Sequence, residues 1–442
     1  MVTVAINSMG RSFHGSTLST LSWVLNAYAI IMAAFLVVAG QLGDRQGNKN
    51  VFIFGTALFT LASAACTAAP NLAVLIVARA FQGAGAAAQL PTSLALLIAV
   101  VREEQRGQAV RLWSAFGAMA AAFGPVAGGL LVQYSWRWVF AINIPIGIAI
   151  LITGRLVLPR NVTRSEPLPD LAGSGLLIVS ICTLTGALVQ APDWGWGSDR
   201  ILLLLAAAVL TGAAFVRRCV THPAPLVEIS TFRDRTFGIA NLGNLLFSIG
   251  FSILLLSATL WCQQVWHYSA LRAGLALAPA PLMVAPAAIL SLPLIRRFGS
   301  GPVSALGGLL FALATLWLAA TSSITPDYAY CMLPALLACG TGFAFGAATL
   351  ISAAVNAMPA ARAATSTAVV NAGRQVAGNL GVAILVTILG TMPALANIHH
   401  LFRVAWYIGG AFTLASAFVC LGLPSPRAIN RSTTTRTVKT RM

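Results

Sequence analysis

The side chains best suited to acid-base or metal chemistry in this 442-residue sequence are its ten carboxylates: Asp44, Glu103, Glu104, Glu166, Asp170, Asp193, Asp199, Glu228, Asp234 and Asp327. All ten fall in polar connections or at the edges of long apolar stretches. A proton relay needs a titrating group inside such a stretch, where burial moves its pKa toward the working range. No carboxylate is placed there. His267, between Trp266 and Tyr268, reads as an interfacial residue rather than a relay, while His14, His222, His399 and His400 read as loop residues without metal-ligand spacing. The seven cysteines are scattered without a C-x-x-C pair and read as small core residues. With no nucleophile beside a base and no metal cluster, neither an enzyme nor a cofactor is expected.

Three other constellations have ordered spacing. Gly40, Leu42, Gly43, Asp44, Arg45, Gly47 and Lys49 form G-x-L-x-D-R-x-G-x-K within GQLGDRQGNKN. The glycines permit a tight turn and close helix approach, and Asp44 is suited to hold another helix's positive N-terminus or an arginine. The bland alternative is a solvated turn. Arg79, Gln82, Gly83, Gly85, Ala86 and Ala87 form R-x-x-Q-G-x-G-A-A. Arg79 lies about seven residues into its apolar stretch, roughly 10 Å deep, where an isolated charge costs several kcal/mol. It must face the protein interior and find a partner, unless it snorkels to the near interface. Gly117, Gly124, Pro125, Gly128 and Gly129 form G-x6-G-P-x-x-G-G, in which Pro125 removes a backbone donor and the small residues allow close packing.

The elements that position these residues follow from composition. The chain is 58% hydrophobic and 8% charged, with a mean hydropathy of +0.84, against about 25% charged in a soluble domain. That excludes a soluble fold. Apolar stretches near twenty residues long predict membrane-spanning helices, because barrel strands are about half as long and alternate with polar residues. The expected spans are 22–43, 51–69, 72–98, 112–133, 138–158, 171–191, 200–217, 237–260, 273–295, 302–320, 328–355, 364–391 and 403–423.

An alternating topology through these thirteen spans puts Arg45, Lys49, Arg102, Arg155, Arg217, Arg218, Arg296, Arg297 and the basic tail on one side. Arg11, Arg137, Arg200, Arg272 and Arg403 fall on the other, with Arg79 and Arg374 inside spans. By the positive-inside rule the first side is cytoplasmic, including the C-terminus. The net charge of +17 is thereby explained without nucleic acid. The expected organisation is an N-terminal bundle at 1–158, a linker at 159–170, an inserted hairpin at 171–217, a linker at 218–236, a C-terminal bundle at 237–423 and a basic tail at 424–442. A weak echo of GQLGDRQGNKN in PLIRRFGSGP at 293–302 suits a transporter built of repeated bundles.

In this order and at these spacings, the three motifs resemble the major facilitator superfamily, and within it the fourteen-span drug:proton antiporter branch of multidrug efflux. The segments SWRWVFAINIPIG at 135–147, DWGWGS at 193–198 and YSALRAGLALAP at 268–279 are similar to that branch too. The resemblance implies an all-α polytopic membrane protein of the bacterial cytoplasmic membrane, with two six-helix bundles and an inserted helix hairpin. It also implies alternating access by rocking, a hydrophobic small-molecule substrate exported against proton entry, and no partner beyond the bilayer; the chain is expected to act as a monomer. The motif at 40–49 would gate the pump, with Asp44 holding the helix that begins near Arg362.

Two departures stand out. Asn48 occupies a place where the family has arginine. Val2-Thr3-Val4-Ala5-Ile6 falls on the end of the family's first span, so most of that helix, and the aspartate that Arg79 would face, has no counterpart after Met1. The chain as written is therefore expected to keep the fold with impaired proton coupling. The substrate cavity is expected near the midplane between the bundles, with Asn26, Tyr28, Gln89, Asn143, Asn244, Phe247, Gln263, Asn371 and Gln375 as candidates, each of which has interhelical hydrogen bonding or packing as its alternative role. A cavity nearly free of carboxylates suits neutral, apolar or anionic compounds better than multivalent cations. An endogenous lipid, siderophore or metabolite is the alternative cargo.

Overall fold

The computed structural model describes residues 2–13, 15–102, 105, 113, 120, 123–158, 170–223, 225–358, 363–389 and 398–423, the side chains of Asp44, Asn356 and 363–368 excepted. The described residues are helical, with no strand among them. The helices, in chain order, are α1 Val2–Ser12, α2 Leu18–Gln46, α3 Asn48–Ala68, α4 Leu72–Val100, α5 at 123–134, and α6 Trp138–Val157. There follow α7 Leu171–Trp194, α8 Asp199–Thr221, α9 Arg235–Val265, α10 Ala270–Phe298, α11 Ser300–Thr321, α12 Tyr328–Val355, α13 Ala363–Leu389 and α14 Ile398–Cys420.

Twelve helices among the described residues are long and apolar enough to cross a membrane. They match twelve of the thirteen expected spans; the remaining one, 112–133, lies largely outside the described residues, where 123–134 is helical. Fourteen spans are not reached in this count. α1, at 11 residues, would extend only about 17 Å.

Helix ends correct several sequence boundaries. α2 starts at Leu18 because Thr17 and Thr20 form a reciprocal capping box. α4 starts at Leu72, where the span was expected to begin, because the Asn71 side chain accepts from the Val74 amide at 3.0 Å. α9 runs on to Val265 through a π-helical turn, and His267 beyond it, with φ of +52°, takes the left-handed conformation of a helix stop. His399 and His400, expected in a loop, lie in the first turn of α14. The connection expected at 44–50, between the spans 22–43 and 51–69, is also shorter than its polarity suggested. Gly40–Gln46 continue α2, α3 begins at Asn48, and Gly47 alone turns the chain with φ of +93°, a conformation that costs glycine little.

The carboxylates that the sequence put at span edges work there as caps. Asp170 accepts from the Gly173 amide at 2.8 Å, Asp234 from Phe237 at 2.9 Å and Asp327 from Tyr330 at 3.2 Å. Each holds the electropositive start of a helix.

α2, α3, α4 and α6 pack together as one group, and α9 to α14 as another. α7 lies against both α2 and α13, one from each group. Ser19 of α2 donates to the Val189 carbonyl, while Asn379 and Thr387 of α13 donate to Thr185 Oγ1 and the Leu188 carbonyl. Asp170, fully buried, pairs with Arg218 of α8 at 2.6 Å, so the hairpin is tied at its base. α8 keeps many leucines and valines exposed, as a lipid-facing helix does.

Candidate functional site

Arg79 sits seven residues into α4 and is 6% exposed. Its interior partners are now explicit. Nε donates to the Val24 carbonyl of α2 at 2.9 Å, and Nη1 donates to Gln82 Oε1 at 2.5 Å. Its guanidinium carbon stands 4.1 Å from the centre of the Tyr28 ring and 5.8 Å from that of Phe140. Gln82, buried, passes the chain of bonds on by donating to Ser63 Oγ of α3 at 2.7 Å, and Ser63 donates to the Phe59 carbonyl. The cation is thus held by a carbonyl, an amide and two aromatic faces rather than by a carboxylate. Cation-π attraction and charge-assisted bonds together offset the desolvation of a buried guanidinium.

The glycines of the same motif explain how α4 comes close enough to do this. A Cβ on Gly83 would lie 2.5 Å from the Tyr28 carbonyl oxygen of α2. One on Gly85 would lie 2.6 Å from the Phe59 amide and 2.8 Å from the Gly55 carbonyl of α3. Each glycine is a contact point with a different neighbour, so Arg79 and Gln82 reach acceptors on both. Ala86 and Ala87, buried, continue this stripe of small residues.

At the other motif, Lys49 donates to the carbonyls of Arg155 at 3.0 Å and Leu158 at 2.9 Å, closing the C-terminus of α6 with a cation. Gly43 leaves space that the Asn48 side chain occupies: a Cβ there would lie 2.5 Å from Asn48 Oδ1 and 3.0 Å from Thr92 Cγ2 of α4. Gly40 meets Pro91 at ordinary contact distance, Leu42 packs with the small cluster of Ala39, Val51 and Ala88, and Arg45 is half-buried in the last turn of α2. The expected pairing of Asp44 with the helix start near Arg362 lies outside the described residues.

Pro125, Gly124, Gly128 and Gly129 lie on α5, and Gly117 is outside the described residues. Here two of the sequence segments come together. A Cβ on Gly129 would lie 2.5 Å from the Ala270 carbonyl oxygen and 2.7 Å from Leu271 Cα of α10; one on Gly274 of α10 would collide with the Pro125 carbonyl. The backbones of α5 and α10 therefore touch, which sets α5 against a helix of the second group. Gly274 was not singled out in the sequence, although a glycine among small residues in an apolar stretch is the signal that would have found it.

The same end carries α1. Gln263 of α9 donates to the Val4 carbonyl at 2.9 Å, Gln264 to Asn7 Oδ1 at 3.3 Å, and Trp136 to Ser12 Oγ at 3.0 Å.

The remaining cavity candidates are dispersed. Tyr28 is the platform under Arg79, and Phe247 is enclosed by Phe311, Phe343 and Gly346 within the second group. Asn26 and Asn244 are buried, each with an amide oxygen lacking a partner. Gln89 and Asn143 are half-buried. Asn371 and Gln375 lie together on α13, where Gln375 donates to Met32 Sδ of α2 at 3.1 Å. Among the described residues no group of three histidine, cysteine or carboxylate side chains could hold a metal, and the cysteines are free thiols.

A family model described as Major Facilitator Superfamily matches residues 1–382. The chain is 32% identical over 407 residues to the multidrug resistance protein Stp of Mycobacterium tuberculosis, covering 91% of this chain and 75% of that protein. It is 33% identical to the tetracenomycin C resistance and export protein of Streptomyces glaucescens, covering 87% and 71%. It is 32% identical to the methylenomycin A resistance protein of Bacillus subtilis, covering 96% and 87%. Among solved structures, an auto-inhibited POT family peptide transporter superposes with a TM-score of 0.68 at 17% identity, covering 95% of this chain and 92% of that one. The xylose transporter XylE from E. coli in a partially occluded inward-open form gives 0.62 at 14% identity, covering 96% and 94%.

Proposed function

Since this chain belongs to the Major Facilitator Superfamily and is a multi-pass membrane protein, we propose that it exports drugs or other hydrophobic small molecules by alternating access, as a member of the fourteen-span antiporter branch. The observation that carries this reading is the glycine contact of α5 with α10. Helices whose backbones touch at Gly129 and Gly274 meet through small residues, a contact that can open and re-form as the helices move. The relatives' names, which speak of resistance and export, support small-molecule efflux as the direction of transport.

In this reading Arg79, Gln82, Gly83 and Gly85 keep α2, α3 and α4 a single rigid unit, while Gly40, Leu42, Asp44, Arg45, Gly47 and Lys49 gate the opposite, basic end, which the positive-inside rule makes cytoplasmic. The cargo occupies the boundary between the two groups near Met32 and Gln375. Proton entry is the driving force in this reading, but with no carboxylate placed inside a span and Asp170, Asp234 and Asp327 used as helix caps, coupling in this chain is expected to be impaired. The test is efflux of a lipophilic dye from cells expressing the chain, with and without a protonophore. Dye retention equal to that of cells lacking the chain would refute export; efflux unaffected by the protonophore would refute proton coupling alone.

A further inference from the structure

Two arginines lie deep in membrane-spanning helices, and the structure treats them differently. Arg79 has an acceptor for Nε, an acceptor for Nη1 and an aromatic ring beneath it. Arg374, eleven residues into α13, makes one long bond among the described residues, from Nη2 to Asn371 Oδ1 at 3.4 Å on its own helix. Its Nε is shielded from solvent and has no acceptor among the described residues. The ion pair found among the described residues joins Arg218 to Asp170, far along the chain from α13.

Arg374 lies between two neighbours of α13: the adjacent Gln375 is turned to the first group, and the glycines that share its face are turned to α9. The next residue, Gln375, reaches Met32 at the middle of α2. One turn further on, the missing side chains of Gly378 and Gly381 bring α13 against Ser252 and Ile249 of α9. By helical spacing Asn371, Arg374, Gly378 and Gly381 share a face. The face is tightly packed at the glycines and carries polar side chains below them.

A guanidinium presents five N–H donors in a planar fork that matches a carboxylate or phosphate in bidentate fashion. Arg374 is half-buried, and with most of that fork unused among the described residues it has donors left for an anion inside the membrane. We propose that Arg374 is the anion-binding residue of the substrate site, selecting lipophilic molecules that carry one acidic group, with Asn371 and Gln375 beside it. This rests on the export reading only for the fate of the bound molecule; the binding step stands on the geometry of α13.

Matched probes test it. Pyrenebutyrate carries a carboxylate, and pyrenebutanol is its uncharged counterpart. Binding of both to the purified full chain in detergent is followed by fluorescence anisotropy. The native chain should hold pyrenebutyrate at least about tenfold more tightly than pyrenebutanol, the size of a charge-assisted hydrogen bond. Arg374→Gln should remove that preference while leaving pyrenebutanol binding and the melting temperature unchanged. Arg374→Lys, which keeps the charge and not the fork, should retain part of it. Equal affinity of the native chain for both probes would overturn the proposal, and so would an Arg374→Gln chain that keeps the preference. A melting temperature lowered in both variants, with the two probes weakened equally, would assign Arg374 a structural role and overturn it too. Displacement of pyrenebutyrate by a short-chain phosphatidylglycerol at lower concentration than by unlabelled butyrate analogues would assign the site to a lipid phosphate instead of cargo. Selective binding without dye efflux in cells would refute export and leave the anion site standing.

Discussion

Gly129→Ala tests whether the α5 and α10 contact is the place where the two groups of helices part. The added methyl group would lie 2.5 Å from the Ala270 carbonyl oxygen and 2.7 Å from Leu271 Cα. Ordinary van der Waals contact begins at 3.4 Å, so the helices must separate locally by about 0.9 Å. The atoms met are backbone, and no side-chain rotation relieves the overlap. Overpacking of this kind costs about 1–3 kcal/mol. That penalty falls on the arrangement in which α5 touches α10 and vanishes once they part, which corresponds to about a 5- to 150-fold shift in population.

Tyr134 and Leu275, on α5 and α10, are 80% and 52% exposed and accept spin labels as Tyr134→Cys and Leu275→Cys in a Cys182→Ala background. Their distance distribution should move to longer values in Gly129→Ala, and dye efflux should slow. Gly197→Ala is the control, because a Cβ there meets nothing within 4 Å. A distribution unchanged from the native one, with native efflux, would refute the assignment of this contact as the moving seam. A shift of equal size in Gly197→Ala would refute it as well.

Other perturbations read separate parts of the structure. Gln82→Leu removes the acceptor for Arg79 Nη1 and the donor to Ser63, and should lower stability by about 2–4 kcal/mol, seen as an earlier melt in detergent. Lys49→Ala leaves two carbonyls at the end of α6 without their cation; about 0.3–1 kcal/mol is lost, so a melt within a degree or two of native is expected. Asp44→Ala should instead abolish efflux without a comparable loss of stability, and unchanged efflux in that variant would end the gating reading. Arg218→Ala strands the buried Asp170 with the Gly173 amide as its remaining bond. Because Arg218 itself is 34% exposed, the cost should be about 1–3 kcal/mol, recovered in the double variant with Asp170→Asn.

Spacing along one helix was readable from the letters. Arg79 and Gln82 are three residues apart, which puts them on one face of α4, and the structure joins them by a direct bond. The Val24 carbonyl was not readable, because a backbone acceptor has no letter of its own and belongs to a helix more than fifty residues away. The polar run at 40–50 misled in the opposite direction. Its charge suggested a loop, yet a helix can carry polar residues past the end of its apolar stretch, and a single glycine suffices for the turn. For the hairpin at α7 and α8, composition marked an insert between linkers. That α7 hydrogen-bonds to both α2 and α13 depends on which helices neighbour one another, a property that hydropathy does not encode.

Composition and spacing alone establish that this chain is a helical membrane protein, where most of its helices run, and which charges are forced to the ends. Those follow from a local rule, since each backbone group in hydrocarbon must be satisfied within its own helix and about twenty apolar residues are needed to cross. Tertiary structure alone decided what each glycine and each buried arginine meets. Close helix approach and buried charge are both settled by atoms from elsewhere in the chain. That is why Arg79, with a carbonyl and a ring supplied by α2, and Arg374, with neither, look alike as letters and differ as sites.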